Sequence, residues 1–394
     1  MKRTFVAAAL MIVTAQSTMM AGLAQATPQA DTMQRDADAL LVQGAPGVLA
    51  ELDTPRGEIK VRSGVGNTTT GTPVPWDAKF RIGSYTKTFV ATTLLQLVGE
   101  GKLSLEDPVA KWLPGVVTGN GNDGRAITVR QLLQHTSGLP EFINGMTDMF
   151  EQEGFLRERF TSFEPEQLVE LAMRQEPQFA PGTSWAYSNT NYILAGMVIE
   201  SVTGNEWAQE TRERIIEPLG LHDTYIPGEF PFLPAPHAVG YERFPDDMTS
   251  PNPTYGPQID ATALNPSWAG AAGEIISTTE DGNRFLQALM RGEVLRPAEL
   301  AEMKKTVRAE MFDVVWPGAR YGLGLMWSPN ECGGFWSHGG DIPGFMTRNG
   351  VTEDGSRSVM VTINTDSMLP EEGAPPVTGD HAADLVENAL CGTR

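Results

Sequence analysis

Arg81-Ile82-Gly83-Ser84-Tyr85-Thr86-Lys87-Thr88-Phe89-Val90-Ala91-Thr92-Thr93-Leu94-Leu95-Gln96-Leu97-Val98 is the stretch on which the reading of this chain turns. Its second half is apolar and Thr-rich, without Pro or internal Gly, and Phe89, Val90, Leu94, Leu97 and Val98 recur near helical spacing. Gly83 breaks the chain just before it, so Ser84 is expected at or inside the first turn of a buried helix. Lys87, three residues on, then shares a face with Ser84 one turn later. A hydroxyl at a helix N-terminus with an amine in reach is a means of activating a nucleophile. The backbone N–H groups and helix dipole favour developing negative charge, and the amine takes the proton. Ser-x-x-Lys occurs once in the chain; a helix cap beside a solvated lysine is the plainer reading of it.

Working outward, the 394 residues are 41% hydrophobic and 20% charged, enough for a large core in one big or two intertwined domains. Residues 1–26 read as a secretory leader: Lys2 and Arg3, an apolar run from Phe5 to Val13, and a small-residue cleavage site at Ala24-Gln25-Ala26. No later apolar run is long enough to span a bilayer, so a secreted protein without a membrane span is expected. The formal charge of −20 argues against nucleic acid or anionic membranes as partners. Cys332 and Cys391, an even pair in an exported chain, suggest one disulfide, with two buried thiols as the alternative. The five histidines (135, 222, 237, 338, 381) lack metal-binding spacing, and no metal or cofactor is expected.

In chain order, the residues from Thr27 to Leu40 suggest a short helix. Val48–Leu52 and Glu58–Arg62 form a hairpin around Thr54-Pro55-Arg56-Gly57, and Lys79–Ile82 a strand leading to Ser84. Helical signals follow at Val129–Leu133 after Thr128, after Phe163, and from Asn191 to Val202, with Pro-rich loops over 226–266. Glu274–Met290 reads as one more core helix. Tyr321–Trp327, Gly334–His338, Gly344–Gly350 and Ser356–Asn364 read as successive antiparallel strands, and Ala382–Leu390 as a closing helix. Strands at both ends with helices between predict an α/β (α+β) fold, an antiparallel sheet flanked by helices with an inserted all-helical region. The α/β part spans about 27–95 and 267–391, and the mostly helical insert about 96–266.

Three segments carry the chemistry: Ser84 with Lys87, Tyr187-Ser188-Asn189 just before a helix, and His338-Gly339-Gly340 on a late strand. A tyrosine and a lysine share proton traffic with a serine, and Asn189 has a donor for a substrate carbonyl. Gly340 lets a substrate backbone lie along the strand edge, and N–H groups at Ser84 and just past Gly340 are positioned for an oxyanion hole. Taken singly, Tyr187 and His338 read more readily as core residues and Gly339-Gly340 as a bulge; taken together, in this order, they do not.

Together these segments resemble the three motifs of the penicillin-recognising serine hydrolases, in detail the secreted serine D-alanyl-D-alanine carboxypeptidases related to class C β-lactamases. Arg81-Ile82-Gly83-Ser84, the run Val129–Pro140, Ser188–Tyr192, Trp268 within Ser267–Ser277, Tyr321–Leu325 and the paired cysteines agree with it. The resemblance implies a β-lactamase/transpeptidase-like fold with Ser84 as acylated nucleophile, Lys87 easing its deprotonation and Tyr187 as general base and acid. Asn189, His338, Gly340, Asp341 and Trp268 would bind substrate, and His135 is structural. The implied function is that of a secreted hydrolase of D-amino-acid peptides, a D-alanyl-D-alanine carboxypeptidase first of all. It would act as a monomer on a small peptide or peptidoglycan-derived substrate, with β-lactams as inhibitors. A D-aminopeptidase, a D-amino-acid esterase or amidase, a β-lactamase, and a non-enzymatic penicillin-binding sensor are the alternatives.

Two positions depart from the resembled carboxypeptidases. There a threonine follows the His-x-Gly triplet and an arginine follows the Tyr-Gly-Leu-Gly-Leu segment, and together they bind the terminal carboxylate; here stand Asp341 and Met326. A carboxylate set against an aspartate costs roughly 1–4 kcal/mol at contact range. Arg320 and Arg348, on neighbouring strands, are the candidates for a replacement cation.

Overall fold

The computed structural model describes residues 28–247, 250, 253–369 and 380–392. The expected leader, residues 1–26, lies outside them. At the centre of the fold is a nine-stranded antiparallel sheet drawn from both ends of the chain. The hairpin Gly47–Thr54/Gly57–Gly64 forms one edge, and Gly47–Thr54 pairs with Ser358–Ile363, which pairs with Phe345–Val351. Phe335–Ser337, Met326–Ser328, Arg320–Tyr321 and Val307–Arg308 continue the order, while Gly340–Ile342 pairs separately with Phe345–Val351.

Alternation along the strands decides the two faces. Val359, Val361 and Ile363, with Val48, Ala50 and Leu52, pack against the first helix, Pro28–Val42, and the last, His381–Cys391. Met360 points the other way, into the larger core that holds Phe285, Leu286 and Leu289 of the helix Thr279–Met290. That core also holds the helix Thr86–Gly99, buried from Thr86 through Leu95. A helix buried all round tolerates threonines only if their hydroxyls are bonded. Thr92 and Thr93 donate to the carbonyls of Thr88 and Phe89 four residues back (2.7 and 3.0 Å), and Thr88 donates to Gly324 O at 2.8 Å.

Between the two groups of strands the helices Val129–Leu133, Pro165–Met173 and Thr190–Thr203 appear where the capping signals place them. Thr128 and Gln131 close a capping box, Glu164 and Gln167 another, and Gly204 ends the third helix at φ +78°. Two ribbons of two-residue strands interrupt this region, Thr118–Gly119 with Asn122–Asp123 and Tyr241–Glu242 with Ile259–Asp260.

Three sequence expectations need correction. Ser84 sits in a 3-10 turn, Gly83–Tyr85, directly ahead of the helix Thr86–Gly99. The expected helix Glu274–Met290 begins only at Thr279, because Ile276–Ser277 pairs with Phe80–Arg81 and Thr278 caps the helix by accepting from Asp281 N. The expected strand Tyr321–Trp327 is a tight hairpin: Arg320–Tyr321 folds back on Met326–Ser328, and Gly322 N donates to Leu325 O at 2.7 Å.

Cys332 and Cys391, 59 residues apart, form a disulfide between the turn before Phe335 and the end of the last helix. Alkylation of the unreduced protein should label no thiol. Gentle reduction should lower stability by roughly 4 kcal/mol on the chain-entropy account. Hydrolysis should survive it, since neither cysteine lines the cavities around Ser84.

Candidate active site

Ser84 is placed by the backbone on either side of it. Phe80–Arg81 pairs with Ile276–Ser277, and Ile82 N donates to Ile275 O at 2.9 Å. Arg81 is fully buried, and its Nη2 donates to the carbonyls of Pro231 and Leu264 at 2.7 and 3.1 Å. The chain then turns through Gly83 at φ +51°. Against this turn lies the strand Gly340–Ile342. A Cβ on Gly340 would meet Ile82 O at 1.9 Å and Ser84 N at 2.8 Å, and one on Gly83 would meet Asp341 N at 2.8 Å. Only glycines at these two positions let the backbones approach, which brings the N–H groups of Ser84 and Asp341 to one place.

Lys87 is fully buried one turn after Ser84. Its Nζ donates to Ser84 Oγ (2.9 Å), Asn189 Oδ1 (2.7 Å) and Ala272 O (2.7 Å), so three protons meet three acceptors. Burial lowers its pKa to about 7, opposed by the nearby charges of Glu141 and Asp341. Without one proton, the amine keeps its bonds to Asn189 and Ala272 and turns a lone pair toward the Ser84 hydroxyl.

Tyr187 lies over this group, its ring 4.9 Å from Lys87 Nζ and beside Ser84 in the second cavity. Burial holds the phenol well above its ordinary pKa, so it is a neutral hydroxyl at physiological pH. Behind it lies the ring of His135, centroids 4.3 Å apart and the planes tilted by 32°. His135 Nδ1 accepts from Ser188 N (3.2 Å) and faces Asn191 Nδ2 (3.0 Å), so the proton resides on Nε2. Burial keeps this imidazole neutral, a support for the Tyr187–Asn189 loop.

Asn189 does less for a substrate and more for Lys87 than its sequence position suggests. Its Oδ1 is taken by Lys87, and its backbone N and Nδ2 both donate to Glu141 Oε2 (2.7 and 3.0 Å), leaving one side-chain proton for a ligand. Sequence reading missed Glu141. One loop carboxylate among 49 acidic residues carries no signal until the fold sets it beside Asn189.

His338, expected to hold substrate, has both ring nitrogens engaged. Nδ1–H donates to Gly339 O (2.7 Å), and Nε2 accepts from Tyr321 OH (2.8 Å). Burial lowers its pKa to about 3. Asp341 follows, and its Oδ1 accepts from Arg348 Nη1 at 2.6 Å. Arg348 Nε is bound in turn by Asp380 Oδ2 at 2.7 Å. Of the two candidate cations, Arg348 is the one that reaches the site; Arg320 turns to Thr306 instead.

Two cavities, of about 300 and 330 Å³, meet at Ser84, Asn189 and Asp341. Phe142, Phe150, Tyr255 and the buried Trp268 line the first, with Glu242, Arg243 and Asp366 beside them. Phe312, Val315, Trp316 and Met326 line the second, with Tyr187 and Arg348.

The contact between Gly340 and the turn at Ser84 gives a test. Gly340→Ala must push the strand away from Ile82 and Ser84. A displacement of about 1 Å should cost roughly a hundredfold in the rate of Ser84 acylation. Circular dichroism should show the fold retained; an unchanged acylation rate would contradict the assigned contact.

The β-lactamase family model matches residues 30–383. Among solved structures, a D-stereospecific amidohydrolase from a Streptomyces species is 41% identical, with a TM-score of 0.81 over 93% of this chain and 100% of that one. D-amino acid amidase from Ochrobactrum anthropi SV3 is 29% identical, with a TM-score of 0.76 over 92% of this chain and 98% of that one. Penicillin-binding protein 4* of Bacillus subtilis is 28% identical over 282 residues, 70% of this chain and 58% of the relative's own length. With a family model matched along nearly its whole described length and a Ser84–Lys87 pair at the meeting point of two cavities, the chain belongs to the β-lactamase family of serine hydrolases.

Proposed function

We propose that this protein hydrolyses D-aminoacyl amides and esters through an acyl-enzyme on Ser84. The observation that carries the reading is the Ser84 hydroxyl, held by a buried lysine where an acidic, aromatic cavity meets an apolar one. Neutral Lys87 takes the Ser84 proton as Oγ attacks the carbonyl. The N–H groups of Ser84 and Asp341 receive the oxyanion. The Tyr187 phenol passes a proton to the departing amine or alkoxide and is reprotonated from Lys87. Water then enters by the same route in reverse, and the acid product leaves.

The first cavity suits an acyl group with a free ammonium and a large side chain. Burial raises the carboxyl groups of Glu242 and Asp366, and the charges of Asp341 and Glu242 push Asp366 further up. A cation between them relieves both effects. The aromatic walls take the side chain. Preference for the D-configuration is supported by the similarity to the amidohydrolase and the amidase. The carboxypeptidase alternative calls for a cation open to a terminal carboxylate, and Arg348, the basic side chain on the leaving side, is already bound to two aspartates. The disulfide supports a place in an oxidising compartment, and no helix among the described residues is long and apolar enough to cross a membrane.

A panel of D-phenylalanine amide and methyl ester, their L-forms and their N-acetyl derivatives tests this. We expect the D-forms to lead, and loss of the ammonium to cost roughly ten- to a hundredfold in kcat/KM. Equal turnover of the N-acetyl compounds would exclude the acidic cavity as the amine site.

The pH dependence follows from Lys87. Its pKa is lowered to about 7, so the base form predominates above that value and the ammonium below it. With an uncharged chromogenic ester, kcat/KM should rise with pH, bend near 7 and then level off. Lys87→Ala should abolish the bend with most of the rate. A profile flat from pH 5 to 9 in the wild type would contradict Lys87 as the base.

A further inference from the structure

The leaving-group side of the site contains an ion pair arranged as if a substrate carboxylate were already bound. Arg348 is nearly buried, its Nη1 lying against Gly339, where a Cβ would meet it at 3.4 Å. This places the guanidinium beside the strand along which a substrate would run, in the cavity lined also by Met326, His338 and Tyr187. Two carboxylates hold it. Asp380 binds Nε at 2.7 Å, and its other oxygen caps the last helix by accepting from Ala382 N and Ala383 N at 3.0 and 3.2 Å. That aspartate is fixed in the fold. Asp341 binds Nη1 at 2.6 Å from a side chain that is half exposed and borders both cavities.

We propose that Asp341 is a specificity-determining residue that occupies, with its own carboxylate, the guanidinium edge of Arg348 at which the carboxylate of a leaving group would dock. This deepens the function proposed above and rests on it. The triad of Asp341, Arg348 and Asp380 carries a net charge of −1, so a leaving group with a free carboxylate meets a cation that is already over-neutralised. Neutral leaving groups escape that repulsion and can pack against the apolar wall of Phe312, Val315, Trp316 and Met326. The charge of one side chain therefore selects amides and esters over peptides with a free C-terminus. The arginine that would serve the opposite preference is already present.

The test compares two substrates that differ only in the leaving group's charge: D-phenylalanyl-glycine and D-phenylalanyl-glycinamide. In the wild type the amide-terminated compound should lead. Asp341→Asn keeps the shape and a hydrogen-bonding oxygen but removes the charge. It should shift the kcat/KM ratio at least tenfold toward the free carboxylate, and Asp341→Thr should do the same. Adding Arg348→Gln to Asp341→Asn should abolish the shift. Should that double variant fail to fold, inhibition of ester hydrolysis by N-acetylglycine, against its amide, gives the same reading: stronger inhibition by the acid only when Asp341 is replaced, and declining with added salt. A ratio that stays within twofold, or a shift that persists without Arg348, overturns the inference. If Ser84 is acylated by D-phenylalanine methyl ester while the ratio stays still, the inference alone falls. If no acyl-enzyme forms on Ser84 with any of these substrates, the proposed function falls and takes the inference with it.

Discussion

The site depends on burying one amine without stranding it. Lys87 is inaccessible to water, and a buried ammonium is tolerated only when each proton has an acceptor. The acceptors come from three places in the chain: Ser84 in the preceding turn, Asn189 at the start of a helix 102 residues on, and the carbonyl of Ala272, 185 residues on. Each is held by something else. Glu141 fixes Asn189 by two hydrogen bonds, and Ala272 lies in the short helix Gly270–Gly273. Because two of the three acceptors remain when a proton leaves, the amine tolerates both protonation states in one geometry. A general base needs that property, and a helix cap does not.

Around this nitrogen the two halves of the fold divide the work. The helix Thr86–Gly99 supplies Lys87, and the loop ahead of Thr190–Thr203 supplies Tyr187 and Asn189 with His135 behind it. The sheet supplies the strand Gly340–Ile342, whose backbone is pressed onto the turn at Ser84 by two glycines. Charge then separates the two cavities. Raised carboxyl groups border the aromatic cavity, while beside the apolar one Arg348 is paired with two aspartates. Both arrangements lie within a chain of formal charge −20, so local pairing and not net charge decides what each cavity accepts.

Much of this was legible in the sequence where local rules agree with the fold. Ser84 and Lys87 stand three residues apart at the entry to one helix, the caps at Thr128 and Glu164 are local, and the hairpin at Thr54–Gly57 is set by turn chemistry. The misses have tertiary causes. Gly322–Leu325 reads as strand because its apolar residues do pack in the core, yet the chain reverses there and Gly324 lies against Lys87 and Tyr192. Residues 274–278 read as helix until Phe80–Arg81 claims Ile276–Ser277 as a strand partner. Asp341 was legible as a departure from the resembled pattern, but its partner was not, because Arg348 reaches it only across the register of two paired strands. Glu141 and Asp366 are ordinary acids in sequence and become parts of the site only by burial.

In the proposed mechanism, burial delivers Lys87 to the site as a base that is largely neutral at physiological pH. The most direct test is a titration of the Lys87 side chain by NMR, with lysine labelled at Cε and Nζ and the resonance assigned by its loss in Lys87→Arg. A midpoint at about 7 is expected, moved upward when Tyr187 and Ser84 are left in place and the site is opened to water by mild denaturant. A Lys87 resonance that stays protonated beyond pH 10 in the folded protein would contradict it.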